Sequence, residues 1–90
     1  MISIKLVKEW IKLDQEDDDP ILVELLNSAS AICADVLRLA TVEELEPTPL
    51  NKMALLYTMA YLAEHREDAD HNYLKTNLRA LLEPDRKAAF

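Results

Sequence analysis

Apolar residues recur at helical spacing in four stretches of the chain, which are separated by polar and proline-containing segments. The first stretch is short and follows Ser3, a residue whose side chain can cap the start of a helix. A spacing of one, four and five residues places its apolar side chains on one face, which predicts a short amphipathic helix. That face consists of Leu6, Val7, Trp10 and Ile11, whereas Lys5, Lys8, Glu9 and Lys12 point away.

The second stretch predicts a long helix over residues 20–39. Asp19 provides an N-cap and Pro20 suits the first helical position, where the N–H that proline lacks would be unpaired anyway. Asp17 and Asp18 suit the positive end of the helix dipole. The apolar arc is about 160° wide, more than a one-sided surface helix needs, so this helix should contact more than one neighbour. The arc comprises Ile21, Leu22, Leu25, Leu26, Ala29, Ile32, Cys33, Val36, Leu37 and Leu39.

The third stretch predicts a helix over residues 49–66, again started by a threonine cap and a proline. Its apolar side chains spread nearly all round the helix, and a single polar strip consists of Asn51, Thr58 and His65. A helix that is apolar on every side is either central or partly covered by another molecule. We therefore expect one face to be exposed in the monomer and covered in an assembly. Two faces qualify, and they are Met53, Tyr57 and Tyr61, or Leu55, Met59 and Leu62.

The fourth stretch covers residues 70–83. Pro84 stops this helix, and residues 85–90 should form a mobile tail. Residues 41–48, with three glutamates and a proline, are expected to form a loop. The chain is thus predicted to be all-α, with residues 1–84 as one domain: a compact bundle of about four helices with a long central pair, followed by the flexible C-terminal tail. The apolar face of the fourth helix consists of Leu74, Leu78, Leu81 and Leu82.

Composition and charge narrow the class of protein. The chain has no glycine, the usual residue of tight hairpins and phosphate-binding loops, so neither element is expected. The net charge is −7, with −6 in residues 1–45 and −1 in residues 46–90, and such a surface repels nucleic acid. A single cysteine excludes an internal disulfide and fits a reducing compartment. The N-terminus lacks the apolar core of a signal peptide, and the longest apolar run is too short to cross a bilayer, so we expect a soluble, intracellular protein.

The acidic segment between the first two helices does not fit a calcium loop. An EF-hand that starts at Asp14 requires glycine at its sixth position and glutamate at its twelfth, where this chain has Asp19 and Leu25. We interpret the segment as a solvated loop that caps the second helix and holds no metal.

No other residue pattern predicts catalysis. The neighbours of Cys33 in the sequence offer neither a base nor an oxyanion site, so this thiol is interpreted as a small buried hydrophobe. His65 and His71 lack the spacing of zinc ligands. Nothing distinguishes the environments of the carboxylates near the end of the third helix, as acid–base catalysis requires. We therefore predict no enzymatic activity, no metal and no cofactor.

Aromatic and arginine side chains are the candidate contacts with other subunits, because these types are enriched in the cores of interfaces. Arg66 could form a bidentate ion pair between subunits, or simply be a favourable charge at the end of a helix. Tyr73 could equally lie at the edge of the core, and Arg86 with Lys87 could belong to a solvated tail. The candidate set is Tyr57, Tyr61, Arg66, Glu67, Tyr73, Arg79, Arg86 and Phe90.

Short motifs along nearly the whole chain resemble the small head–tail connector (adaptor) proteins of tailed bacteriophages. The Leu-x-Ile/Leu-Asp turn after the first helix of that family is similar to Ile-Lys-Leu-Asp at residues 11–14, which an acidic loop and a long helix follow. The family's Asn-Arg-Glu after a proline-started helix is similar to residues 65–67, where histidine replaces asparagine. Its closing Leu-Leu-x-Pro-x-Arg is matched by residues 81–86. Residues 72–77 depart from the Val-Pro-x-Gly-like approach to the last helix that the family often has.

The resemblance implies a structural virion or prophage protein without catalytic activity. Members of that family form a ring of about a dozen copies beneath the portal, extend the DNA channel and provide a docking surface for the tail or a stopper protein. The expected partners are therefore further copies of this chain, the portal protein and the tail or stopper protein, without membrane contact. DNA would pass through without specific binding, which an acidic lining favours. The expected location is the head–tail junction of the virion, after synthesis in the bacterial host cytoplasm.

Two other interpretations stay open. A small acidic helical regulator, such as an antitoxin-like partner of a basic protein, would share the charge and the apolar third helix but form a dimer or heterodimer. A helix-turn-helix protein would need a basic recognition helix, which this acidic chain lacks. The mass of the protein in solution separates a ring from a regulator.

Overall fold

The computed structural model describes residues 2–12, 20–65 and 67–83. This part of the chain is all-α, as the sequence predicts, with four α-helices and no strand. The helices are α1 (Ile4–Trp10), α2 (Pro20–Val36), α3 (Pro49–Glu64) and α4 (His71–Leu82), and a 3₁₀ turn (Val42–Glu44) lies between α2 and α3. The predicted acidic loop with its Asp19 cap, the stop at Pro84 and the tail at residues 85–90 lie outside the described residues.

Side-chain caps begin three of these helices. The Ser3 hydroxyl accepts a hydrogen bond from the Leu6 N–H at 3.2 Å, and the Thr48 hydroxyl caps α3 in the same way at 3.1 Å. Both caps confirm predictions from the sequence. Asp70, predicted as the first residue of the fourth helix, instead caps α4, because its Oδ1 accepts the Tyr73 N–H at 3.0 Å.

The helix α2 ends at Val36, and not at residue 39 as predicted. Arg38 adopts a left-handed φ of 62°, and the Leu39 N–H donates back to the Ala34 carbonyl at 2.9 Å, as in a Schellman helix ending. Glycine usually occupies the left-handed position, and this chain has none. Because Leu37 and Leu39 continue the apolar arc, hydrophobic periodicity does not reveal where the helix stops.

The core lies between α2, α3 and α4. α2 contacts both of the other long helices and the 3₁₀ turn, which confirms the prediction that it has more than one neighbour. On α4, the predicted face is confirmed, with three leucines fully buried and Leu81 half-buried. The buried cluster comprises Ile2, Val7, Leu26, Ala29, Ile32, Cys33, Val36, Leu37, Leu45, Ala54, Leu55, Met59, Leu74, Leu78 and Leu82.

The helix α1 departs from its predicted pattern at two positions. Lys8, expected to face solvent, is only 8% exposed, and Ile11, expected on the apolar face, is exposed. The helix ends at Trp10, and Ile11 is its C-cap, with a φ of −95° and a ψ of 4°, so Ile11 lies just beyond the helical face, and the left-handed Lys12 then turns the chain away. A lysine can lie along an apolar surface through its methylene groups, which accounts for a buried Lys8 beside the buried Val7.

The polar strip of α3 lies on its buried side. Asn51 and Thr58 are buried, and His65 is half-buried. The Thr58 hydroxyl donates to the Ala54 carbonyl at 2.7 Å, and Asn51 Nδ2 donates to the Glu46 carbonyl at 2.8 Å. Backbone acceptors therefore satisfy these donors inside the protein. The apolar residues on the other side of α3 are left facing solvent.

Candidate subunit interface

An exposed apolar strip runs along α3 on the side away from the core. Met53 is 59% exposed and Tyr57 is 39% exposed, whereas Leu55 and Met59 are buried. Of the two faces that the sequence left open, the one with Met53 and Tyr57 is therefore the face in contact with solvent. Ala60 continues this strip at helical spacing and is also exposed.

Tyr61 and Tyr73 extend the strip from α3 onto α4. Their rings are stacked, with centroids 6.0 Å apart and planes 30° apart, and Tyr73 is 56% exposed. The Tyr57 hydroxyl accepts a hydrogen bond from Asn77 Nδ2 of α4 at 3.1 Å. Three tyrosines that the sequence proposed as contact residues thus lie on one continuous surface. We call Met53, Tyr57, Ala60, Tyr61 and Tyr73 the tyrosine face.

Tyr61 also fixes the turn between α3 and α4. Its hydroxyl accepts a hydrogen bond from the Asp70 N–H at 3.0 Å, and its ring lies 4.4 Å from the ring of His65, measured between centroids. Because Asp70 also caps α4, one tyrosine connects the end of α3 to the start of α4. An aromatic side chain that is already held in place loses little conformational freedom when a partner covers it.

Arg79, another predicted contact residue, does not belong to the tyrosine face. It is exposed and lines a shallow depression with Asp35 and Val36, so it lies on the side of α4 that faces the end of α2. One helical turn earlier, Lys75 Nζ pairs with Asp35 Oδ2 at 2.9 Å. Both cations of this side of α4 therefore lie near the end of α2, where Asp35 and Arg38 line the same depression.

Glu67 lies at the end of α3, in an exposed acidic depression that it shares with Glu64 and Asp68. It is therefore separate from the strip along the middle of α3. The remaining predicted contact residues lie outside the described residues, and they are Arg66, Arg86 and Phe90.

An open cleft of about 200 Å³ lies where the start of α2 meets the end of α3 and the start of α4. Ile21, expected on the buried arc of α2, is instead 46% exposed at the mouth of this cleft. α3 ends and α4 begins beside the first turn of α2, so these helices cover that turn only partly. The cleft is not predicted from the sequence. The unusual width of the apolar arc on α2 is the sequence feature that indicates it, because the neighbouring helices do not cover the whole arc. Its apolar walls are Ile21, Leu25, Ile32 and Leu62.

The polar rim of the cleft includes Glu24, His65 and His71. His65 Nδ1 lies 3.3 Å from Asp68 Oδ1, which joins the rim to the acidic depression at the end of α3. Across residues 2–12, 20–65 and 67–83, no three histidine, cysteine, aspartate or glutamate side chains are grouped as metal ligands. Over the same ranges, no helix combines the length and the apolar character that crossing a lipid bilayer requires.

Cys33 is buried in the core, as predicted, and is remote from both surfaces. Its Sγ lies 3.7 Å from Thr58 Oγ1, and burial raises the pKa of the Cys33 thiol to about 11. The thiolate is the reactive form of cysteine, so this side chain is protonated and shielded at neutral pH. Its place in the structure is that of a packing residue.

The fold and its surfaces define a small all-α protein with an exposed aromatic face and an open cleft at one end of the bundle. Compared with protein-family models, with curated proteins and with solved structures, the chain has no significant match. Any function must therefore be inferred from the residues, the geometry and the resemblance of the short motifs.

Proposed function

We propose that this chain is a structural subunit of a phage or prophage head–tail connector, which assembles as a ring beneath the portal and performs no catalysis. The observation that carries the proposal is the apolar side of α3 that faces solvent while polar residues of the helix are buried. Its polar residues Asn51 and Thr58 are buried, whereas Met53 and Tyr57 face solvent. In a subunit that is always assembled, such a helix buries both of its sides. The resemblance of the motifs then selects a connector among possible assemblies.

The tyrosine face has the chemistry of an interface core. Aromatic residues and methionine are enriched in such cores, and four of the five residues of this face are tyrosine or methionine. Tyrosine hydroxyls at its edges are paired within the chain, with Asn77 and with the Asp70 N–H. Covering the rings would therefore remove apolar surface from water without leaving these polar atoms unpaired.

The charge of the chain suits a channel through which DNA moves. The net charge of −7 opposes the approach of phosphates, so DNA would meet a repulsive wall and not a series of binding sites. Further copies of the chain, the portal protein and the tail or stopper protein are the proposed partners. The head–tail junction of the virion is the proposed location.

The mass and shape of the protein in solution test this function. Sedimentation velocity over a range of concentrations, with negative-stain electron microscopy, should detect a ring with an open centre, either for the protein alone or after mixing with the portal protein encoded beside it. Met53→Asp and Tyr57→Asp should abolish ring formation without loss of helical circular dichroism, because both side chains are exposed in the monomer. Ala31→Asp, at an exposed position on α2, is the control and should assemble normally.

Three results would contradict the proposal. A monomer that stays monomeric with the portal protein would remove the connector function. A stable dimer, or a tight complex with a basic protein, would favour the acidic regulator, which also explains the net charge. Loss of helicity in both aspartate variants would show that this side of α3 belongs to the core.

A further inference from the structure

The cleft at the end of the bundle has a specific chemical character. Aliphatic side chains from two helices form its walls, and they include Leu25 of α2 and Leu62 of α3, both half-buried. Its rim carries Glu24 together with His65 and His71, and further carboxylates lie in the depression beside it, where Asp68 Oδ1 is 3.3 Å from His65 Nδ1. A matching occupant therefore carries an apolar group next to positive charge.

Residues 86–90 of the chain have this composition. The segment reads Arg-Lys-Ala-Ala-Phe, with two cations followed by small residues and an aromatic ring. We propose that the cleft receives this segment from a second copy of the chain, with the Phe90 ring between the aliphatic walls and Arg86 and Lys87 against Glu24 of the rim and the carboxylates beside it. The inference rests on the proposed ring assembly and names a contact within it.

The dimensions of the cleft suit a phenyl ring. A buried aliphatic cavity of about 150 Å³ is large enough to bind benzene, and this cleft measures about 200 Å³. Phe90 lies three positions after Lys87 in the sequence, which corresponds to roughly 10 Å of extended chain. That length suffices to carry the cations from the apolar walls to carboxylates one or two helical turns away, such as Glu24 and Glu64.

The position of the cleft favours a segment that comes from a second copy of the chain over the tail of the same chain. α4 begins beside the cleft at His71 and ends at Leu82, and its 12 residues span about 18 Å. Residues 84–90 span at most about 25 Å, so the chain would have to reverse direction and extend almost fully to reach its own cleft. The segment of a neighbouring copy placed end to end with this one would reach the cleft without a reversal of chain direction. A donor at one end and an acceptor at the other form a heterologous contact, which closes into a ring when the rotation between subunits permits.

Disulfide trapping tests the contact in the full chain. The double variant Ser28→Cys with Ala89→Cys places one thiol on the cleft and another beside Phe90, and both native side chains are small. Cys33 does not interfere at pH 8, because it is buried and its pKa is raised to about 11. Mild oxidation should produce a ladder of disulfide-linked dimers and larger oligomers on a non-reducing gel. The control Asn27→Cys with Ala89→Cys should give little, because Asn27 is exposed on α2 but does not line the cleft.

Side-chain changes at both partners make the test specific. Adding Phe90→Ala to the trapping variant should slow cross-linking at least about tenfold, since the apolar group that fills the cleft is lost. Glu24→Lys should also slow it, and Arg86→Glu with Lys87→Glu should restore the rate in that background. A cross-linked monomer of increased mobility would show that the tail folds into its own cleft, and would overturn the proposal.

Cross-linking no faster than in the Asn27→Cys control would overturn the proposal as well. The connector function would survive that result if Phe90→Ala still forms rings that Met53→Asp abolishes. If the native protein forms no ring with the portal protein, the connector function fails, whatever the trapping experiment shows. The two proposals can therefore fail separately.

Discussion

Cys33 and Thr58 form the one polar contact between α2 and α3 that the described side chains place deep in the core. The single hydroxyl proton of Thr58 is directed to the Ala54 carbonyl at 2.7 Å, so the thiol donates to Thr58 Oγ1. The Cys33 thiol and the Thr58 hydroxyl are both buried, and each has a hydrogen-bond partner inside the protein. The contact joins α2 and α3, the two longest helices, at the buried polar strip of α3.

The raised pKa of Cys33 leads to a pH-dependent contribution to stability. The unfolded thiol has a pKa of 9.0 and the folded thiol about 11, so between these values the unfolded chain loses a proton that the folded chain keeps. The free energy of unfolding should therefore be unaffected below pH 8 and fall as the pH rises through this window. Between pH 8 and pH 10, the stability difference between the native protein and Cys33→Ala should shrink by about 1 kcal/mol.

Urea unfolding of both proteins at the two pH values measures this difference, and the titration of lysines and tyrosines cancels because it is common to both. A difference that stays constant from pH 8 to pH 10 would mean that the thiol ionises as easily in the folded protein as in the unfolded chain.

At the scale of the helices, α2 ends with Arg38 in the left-handed position of the Schellman ending, where glycine is the usual residue. Arg38 is exposed at a φ of 62°, where a side chain with a β-carbon costs roughly 1–2 kcal/mol. Arg38→Gly should therefore stabilise the protein by about 0.5 to 1 kcal/mol, after the extra freedom of glycine in the unfolded chain is subtracted. Chemical denaturation measures the gain. Arg38→Ala removes the same charge and keeps the β-carbon, so it should leave the stability nearly unchanged, and equal effects of the two substitutions would exclude relief of strain.

The start of α4 depends on Asp70, which accepts the Tyr73 N–H and donates its own N–H to Tyr61. Asp70→Ala should cost about 1 kcal/mol of stability, the usual effect of losing a cap. Asp70→Asn retains the acceptor and should cost much less. A comparable loss in both variants, measured by urea unfolding, would show that the charge and not the cap is what stabilises this turn.

Helical periodicity predicts most of this fold, because four apolar patterns separated by polar or proline-containing segments leave few other ways to assign the helices. Side-chain chemistry predicts the caps at Ser3 and Thr48 equally well. Periodicity fails where an apolar pattern continues past the end of a helix, as at Leu39, and where neighbouring helices stop short, as at Ile21. It could not choose which side of α3 faces solvent, because that depends on where α2 and α4 pack.

At the scale of the whole molecule, the two surfaces are distinct but adjoin at one end, where the Tyr61 ring contacts His65 of the cleft rim. The tyrosine face runs along the middle of α3 and onto α4, whereas the cleft lies at the end where α2 begins. A subunit in a ring needs two different surfaces, one for each neighbour, unless its contacts are self-complementary. The tyrosine face and the cleft are apolar surfaces of the described residues that could meet that requirement together.

The net charge leads to the last prediction, that neither the native protein nor Met53→Asp binds DNA at physiological salt. With −7 overall and −6 in residues 1–45, the electrostatic interaction with a duplex is repulsive, and few phosphate counterions would be displaced. Fluorescence anisotropy of a labelled duplex of about 25 base pairs should show no binding at 150 mM salt, and lowering the salt to 50 mM should not reveal any, since repulsion grows as screening weakens. A variant with lysine at Glu9, Glu24, Glu64 and Glu67 is the positive control, because it adds cations at exposed positions and should bind at the lower salt. Salt-dependent binding by the native protein would identify a cationic surface formed by assembly, and would contradict an inert channel wall.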